Sequence, residues 1–186
     1  MTIKSLNTTL GYNDGRIIIN NEGLISKYPN SLVIDNLNKK DSKCSIKFNV
    51  LPRKQVSEDI LVSKYVLKKR YIEAHFSRKY ETEMINSPDH LIFLTSLVHL
   101  QKMIYLYLCY EFDFPITFSG KESLKVWPTK INVDMRNLIT KSTDLIQNIK
   151  ITNLKKTGPK SYFGKCISDI NNGEAMITAD AVIYIL

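Results

Sequence analysis

The sequence predicts an α+β domain in which a curved antiparallel sheet wraps one long apolar central helix, with an N-terminal extension in front. Three observations predict it. From Leu91 to Tyr110, fifteen of twenty residues are apolar or aromatic, more than a half-exposed surface helix needs. Short alternating runs precede that stretch and longer ones follow it. An Asn171-Asn172-Gly173 turn sits between two of the later runs, a strong hairpin signal.

Residues 1–43 are rich in Asn, Ser, Gly and Lys and read as the extension. Asn13-Asp14-Gly15 is a turn ahead of a short strand at Arg16–Ile19, and Tyr28-Pro29-Asn30-Ser31 is another turn. The main domain spans 44–186. Cys44, Ile46, Phe48 and Val50 alternate and read as a strand ending at Pro52. Residues 64–80 hold one long strand or two short ones. There Ile72, Ala74 and Phe76 share a core face, and Tyr71, Glu73, His75 and Ser77 share the other. Ser87-Pro88-Asp89-His90 reads as the start of the helix, with Ser87 capping, Pro88 in the first position and Asp89 on the positive end of the dipole. The helix ends near Asp113-Phe114-Pro115. Strands follow at Lys130–Arg136, Gln147–Leu154, Ser161–Ile170 and Ala175–Leu186, with Lys156-Thr157-Gly158-Pro159 as a further turn.

Several function classes drop out. The helix has the length of a membrane span, but His99, Gln101 and Lys102 fall at its middle, where polar and charged groups are costly in lipid. The expectation is therefore a core helix and no membrane insertion. The first twenty residues lack a secretory pattern, and three cysteines (Cys44, Cys109, Cys166) suit a reducing compartment, so a cytoplasmic protein is expected. Histidines 75, 90 and 99 show no metal-ligand spacing, and the seven glycines form no phosphate or dinucleotide loop, so neither metal nor cofactor is expected.

The net charge of +8 divides unevenly. Residues 61–80 carry six basic and one acidic side chain, 81–120 one and five, and 121–160 nine and three. The excess flanks the helix rather than forming a block; Lys68-Lys69-Arg70 is the longest run. Solvated strand faces account for it more simply than a nucleic-acid surface does, and no nucleic-acid partner is expected.

The segment Ser161-Tyr162-Phe163-Gly164-Lys165-Cys166-Ile167, continued by Asn172 to Ala181, resembles the closing hairpin of hotdog-fold thioesterases and dehydratases. Met84-Ile85-Asn86-Ser87-Pro88-Asp89-His90, leading into the helix, is similar to the helix start of long-chain fatty acyl-CoA thioesterases of the FcoT type. His90 and Gln101 match a His and a Gln of the hotdog half of A-factor synthases. The resemblance covers roughly 44–186 and implies a single hotdog fold acting on a fatty acyl thioester, linked to coenzyme A or to an acyl-carrier protein. Hydrolysis leads, with hydration or dehydration and acyl transfer behind it.

In hotdog enzymes a helix N-terminus polarises the thioester carbonyl, and a nearby His, Asp or Glu moves a proton. That logic makes His90 the leading catalytic candidate, with Asp89 beside it. Thr95 occupies the position of the helical acid of many such enzymes, one turn from His99; the two make either a relay or a buried polar pair. Gln101 is a substrate-binding candidate. So are Met84 and Ile92, which stand where the FcoT-type enzymes carry a tyrosine and an asparagine. Lys68, Lys69, Arg70, Lys125 and Lys130 are candidates for the carrier's phosphates. The two replaced polar groups keep a non-catalytic module, binding an acyl chain or a carrier protein, as the alternative. A homodimer or a multiple of dimers, sharing its site across the interface, is expected.

Overall fold

The structure is a computed structural model. It describes residues 18–19, 25–26, 28, 30–35, 37, 39–51, 54–86, 88–116 and 124–186. The expected turn at residues 13–15 and the Ser87 cap lie outside them. The elements in chain order are β1 Ile18–Ile19, β2 Ile25–Ser26, β3 Ser31–Asp35, α1 Lys39–Ser42, β4 Lys43–Leu51, β5 Lys54–Lys68, β6 Tyr71–Thr82, α2 Phe93–Glu111, β7 Leu124–Met135, β8 Leu145–Gly158, β9 Ser161–Ile170 and β10 Ala175–Ile185.

β1 and β2 pair with each other. The other strands form one antiparallel sheet in the order β3-β5-β6-β8-β9-β10-β7, with β4 also paired to β5. β5 is long enough to hold both: β4 lies along its first half and β3 along its second. A bulge between Val62 and Lys64 separates the halves and bends the strand. β3, from the N-terminal extension, thus belongs to the main sheet.

Alternation dictates which face is buried. On β6, Ile72, Ala74, Phe76 and Arg78 point inward while Tyr71, Glu73, His75 and Ser77 are half-buried on the outer face, as the pattern predicts. Leu145, Gln147, Ile149 and Ile151 of β8 continue the inner face, as do Cys166, Ser168 and Ile170 of β9 and Ala175, Ile177 and Ala179 of β10. Across this concave surface lies α2, with Leu100, Met103, Leu106 and Tyr107 fully buried against it. A single long helix held in the palm of a curved antiparallel sheet is the hotdog fold. Among the described residues, no helix is long and apolar enough to cross a membrane.

The two ends of α2 differ from each other. At the C-terminal end, Asp113 adopts the left-handed region (φ 56°), which Asp tolerates better than most residues. Phe114 N–H donates to Cys109 O at 2.8 Å and Asp113 N–H to Tyr110 O at 3.4 Å, the paired bonds of a Schellman ending. At the N-terminal end the helix begins at Phe93 with Ile92 in the capping position, and no side chain of the helix's own segment caps it. The expected start at Pro88 is therefore corrected by five residues. Leu91 N–H donates to Ile139 O at 2.8 Å, and Ile92 N–H to a carboxylate from β5 at 2.9 Å. These bonds hold residues 88–92 in an irregular path, and the helix starts only beyond them.

Candidate functional site

The carboxylate at the helix start belongs to Glu58. Its parity on β5, shared with Val56 and Ile60, turns it inward, where it is 1% exposed. One oxygen accepts from Ile92 N–H. The other accepts from Arg78 Nη1 at 3.1 Å. A negative charge here caps α2 and complements its dipole. Burial raises the Glu58 pKa, against the opposing pull of Thr95, the Ile92 N–H and Arg78.

Arg78 ties four pieces of chain together. Its backbone N–H donates to Ser142 O at 2.8 Å. Nε donates to Lys141 O at 2.9 Å and Nη2 to Thr140 O at 3.1 Å. Nη2 also lies 2.7 Å from Asp89 Oδ1. Asp89 is therefore not a first-turn residue of the helix. It is an exposed partner of a buried guanidinium.

His90 sits next to it, three residues before the helix. Its ring lies 6.4 Å from that of Tyr80, and Nδ1 is 2.9 Å from Pro88 O. A carbonyl can only accept, so Nδ1 carries the proton. The neutral ring then carries its free lone pair on Nε2, three residues ahead of α2 in the chain; the N–H groups of a helix's first turn lack intrahelical partners. Of the expected catalytic residues, His90 is the one that structure and chemistry both leave available.

Thr95 and His99 do not form the expected pair. Thr95 is fully buried, with its hydroxyl beside the Glu58 carboxylate but outside good hydrogen-bond geometry. His99 turns to β8: Nδ1 and Gln147 Oε1 are 2.7 Å apart, and Gln147 Nε2 donates to Ser168 Oγ at 2.9 Å. With the amide nitrogen committed to Ser168, Oε1 must accept from His99 Nδ1–H. Nε2 is then an acceptor with no hydrogen-bond partner in the described structure. Phe76 and Tyr65 flank the ring at 5.3 and 6.2 Å. Burial lowers the pKa to about 4, with Lys102 lowering it further and the Gln147 bond opposing. His99 is a neutral core residue, sealed from solvent.

Gln101 is exposed and borders an apolar cleft of about 250 Å³. Leu94, Val98 and Ile104 of α2 form one wall; Pro128 and Ile131 of β7 and Ala181 of β10 form the other. A smaller hollow of about 30 Å³ shares Ile104, Ala179 and Ala181 with it and reaches Leu154 and Gly164. Here Gly164 faces Ala181 across the β9–β10 ladder, and these small side chains leave the space open. Met84 is half-buried on the segment after β6, its N–H donating to Thr82 Oγ1 at 3.0 Å. Ile92 is buried at the cap.

The basic candidates are separated from this end of the helix. Lys68, Lys69 and Arg70 lie at the β5–β6 turn, where Arg70 N–H donates to Tyr107 OH at 3.2 Å. Tyr107 is fifteen residues past Ile92, about 22 Å along the axis. Lys125 and Lys130 stand exposed on β7.

Glu58, Arg78 and Gln147 were not among the expected residues. Their signal lies in the pattern: each is a polar side chain at the inward parity of an otherwise apolar strand face. Among the described residues no group of three or more His, Cys, Asp or Glu side chains is placed to hold a metal ion.

No protein-family model matches the chain, and no curated protein sequence matches it. Solved structures of similar outline include a thioesterase from Haemophilus influenzae, at 12% identity over 68% of this chain and 78% of that one, with a TM-score of 0.42. A Pseudomonas aeruginosa thioesterase variant matches at 10% identity over 68% and 82%, with a TM-score of 0.41. The Escherichia coli PaaI protein of the phenylacetic acid degradation operon matches at 10% identity over 69% and 79%, with a TM-score of 0.38.

Proposed function

We propose that the chain is an enzyme acting on a fatty acyl thioester of coenzyme A or of an acyl-carrier protein, with hydrolysis as its reaction. The observation that carries this reading is the position of His90, three residues ahead of α2 in the chain, a helix whose first turns, at Leu94 and Val98, border an apolar cleft. The thioester carbonyl is placed against the free N–H groups at the helix start, which stabilise the developing oxyanion. His90 Nε2 takes a proton from the attacking water and returns it to the leaving thiolate. The acyl chain lies in the cleft between α2 and β7, with the Gln101 amide at its rim. Glu58 and Arg78 are positioning residues: both are buried beneath the helix start, where Glu58 holds Ile92 N–H and Arg78 holds Asp89 beside His90.

The test is a panel of acyl-coenzyme A and acyl-carrier substrates of graded chain length, with free thiol followed. Turnover that falls by two orders of magnitude or more in the His90→Ala variant supports the reading. Turnover unaffected by that change overturns the assignment of His90, and no turnover with any substrate overturns the enzymatic reading. The second reading is a module that holds an acyl chain without cleaving it. Met84 and Ile92 favour it, being apolar where the resembled thioesterases carry polar groups. Stoichiometric binding of a fluorescent fatty acid without thiol release would establish it.

A further inference from the structure

The one tryptophan of the chain, Trp127, is 60% exposed. Strand register shows which face carries it. Trp127 pairs with Val182 of β10, Val182 with Phe163 of β9, and Phe163 with Lys155 of β8. Residues directly opposite each other share a face of the sheet. Along β9 and β10 these positions alternate with the buried Gly164 and Ile183, which face α2. The row therefore stands on the convex side of the sheet, away from the helix and the cleft.

The rows on either side add rings and cations. On one side, Lys125 pairs with Tyr184, which is 46% exposed. On the other, Lys130 pairs with Asp180 and Asp180 with Lys165. Lys165 Nζ lies 5.6 Å from the centre of the Phe163 ring and 3.4 Å from Asp180 Oδ2. Lys125, Lys130, Lys155 and Lys165 are all exposed. The three rows thus hold three aromatic rings, four lysines and one carboxylate, and that carboxylate is already matched to Lys165. Asp134 and Asp169, on the same face, stand four residues further along β7 and β9, about 13 Å away.

We propose that this patch binds single-stranded nucleic acid, with bases stacked on Trp127, Phe163 and Tyr184 and phosphates held by Lys125, Lys130, Lys155 and Lys165. An unpaired strand offers a flat face at every base and a negative charge at every linkage, and a platform of rings set among cations answers both. A duplex hides its base faces and would meet the lysines alone. An anionic membrane would need apolar side chains reaching past the cations into the acyl layer. Here rings and lysines rise from one flat strand surface, and the lysines are the longer side chains. The surface carries no array of amide groups in front of the rings, so stacking makes it tolerant of sequence. Charge summed along the chain hides the patch, because its lysines come from β7, β8 and β9 and meet only in the folded sheet. The expectation of no nucleic-acid partner gives way on this face. The assignment does not depend on the thioester reading, whose residues lie on the other side of the sheet.

The probe is oligothymidylate of about twelve nucleotides, titrated with the full chain at low salt. A fluorescein-labelled strand should gain anisotropy. The unlabelled strand should quench tryptophan emission as a base stacks on the indole, and with one tryptophan in the chain that signal reports this face alone. The logarithm of the affinity should fall with the logarithm of salt concentration at a slope of about −3, from four phosphates at about −0.7 each. Trp127→Ala should weaken binding about tenfold and leave the slope unchanged, and Trp127→Phe, which keeps a ring, should recover most of the loss. Lys125→Ala and Lys155→Ala should each reduce the slope by about 0.7. Lys47→Ala, on β4 at the other side of the sheet, should not. Pairing the strand with its complement should cost most of the affinity. No binding at low salt overturns the proposal, as does binding that neither quenches Trp127 nor responds to Trp127→Ala. Equal affinity for the duplex overturns the stacking and leaves a surface of charge alone. Quenching by phosphatidylserine vesicles but not by the oligonucleotide overturns the proposal in favour of a membrane.

Discussion

The Arg78 guanidinium and the Glu58 carboxylate meet 3.1 Å apart beneath the first turn of α2, with both side chains at most 1% exposed. They come from adjacent strands and leave few polar atoms unmatched. Glu58 spends its second oxygen on Ile92 N–H, and Arg78 reaches Thr140 O, Lys141 O and Asp89. The pair thus fixes where the helix begins and how the 139–142 connection runs past it. Because Asp89 and His90 hang on that segment, the exposed part of the candidate site is set by a buried ion pair.

Breaking the pair from one side should be costly. Arg78→Met leaves an uncompensated carboxylate under the helix and strips two side-chain contacts from the backbone of Thr140 and Lys141. The expected loss is about 3–5 kcal/mol, read as a lower urea midpoint. Glu58→Gln keeps a side-chain oxygen for Ile92 N–H or for Arg78 and should lose less. Equal losses in the two variants would show that the cap, and not the charge pair, carries the effect.

His99 makes stability depend on acidity. The unfolded chain takes up its proton near pH 6.5, while the folded chain refuses it until about pH 4. Stability from this residue is therefore complete above pH 6.5 and is lost as the pH falls from there towards 4. A depression of that size corresponds to about 3 kcal/mol. Glu58, with its raised pKa, contributes with the opposite sign at the acid end, so the comparison must be between wild type and a His99→Gln variant. The variant keeps a donor for Gln147, and its unfolding free energy should be flatter between pH 6.5 and 4. Parallel pH profiles for the two proteins would remove His99 as the cause.

His90 should behave in the opposite way. It is only partly buried, and its described contacts are one bond to Pro88 O and the Tyr80 ring. His90→Ala should shift stability by about 0.5 kcal/mol or less while removing most of the turnover. A large fall in melting temperature would show instead that the ring holds the 88–92 segment in place.

Much of the fold was readable in the alternation and in the turns. The faces of β6, the limits of β9 and the Asn171-Asn172-Gly173 turn, all three residues at positive φ, follow from local chemistry. The start of α2 did not, because Pro88 and Asp89 are good first-turn residues in isolation. They lose to bonds from Ile139 and Glu58, which lie 48 and 34 positions away in sequence from their partners Leu91 and Ile92. The Thr95–His99 pairing failed for a related reason: neighbours on a helix face still choose partners on the sheet, and Gln147 offered a better acceptor. Trp127 is 60% exposed because β7 lies at the edge of the sheet. Edge or centre is decided by strand order, which alternation does not encode.

The cleft gives the last expectation. Ala181 borders both the large cavity and its smaller continuation, and it faces Gly164 on β9, where an added Cβ would already lie 3.2 Å from Ile183 Cδ1. A larger group at 181 takes up space in the cleft and the hollow that Ala181 borders. Ala181→Leu should exclude the end of a bound acyl chain. Each methylene kept from burial costs about 0.8 kcal/mol, so displacing about two or three should weaken a fluorescent long-chain fatty acid roughly tenfold to sixtyfold. Shorter chains, which stop before Ala181, should bind as before. Equal weakening of short and long chains would place the chain elsewhere on the molecule, and unchanged binding of both would mean that the cleft is not where it lies.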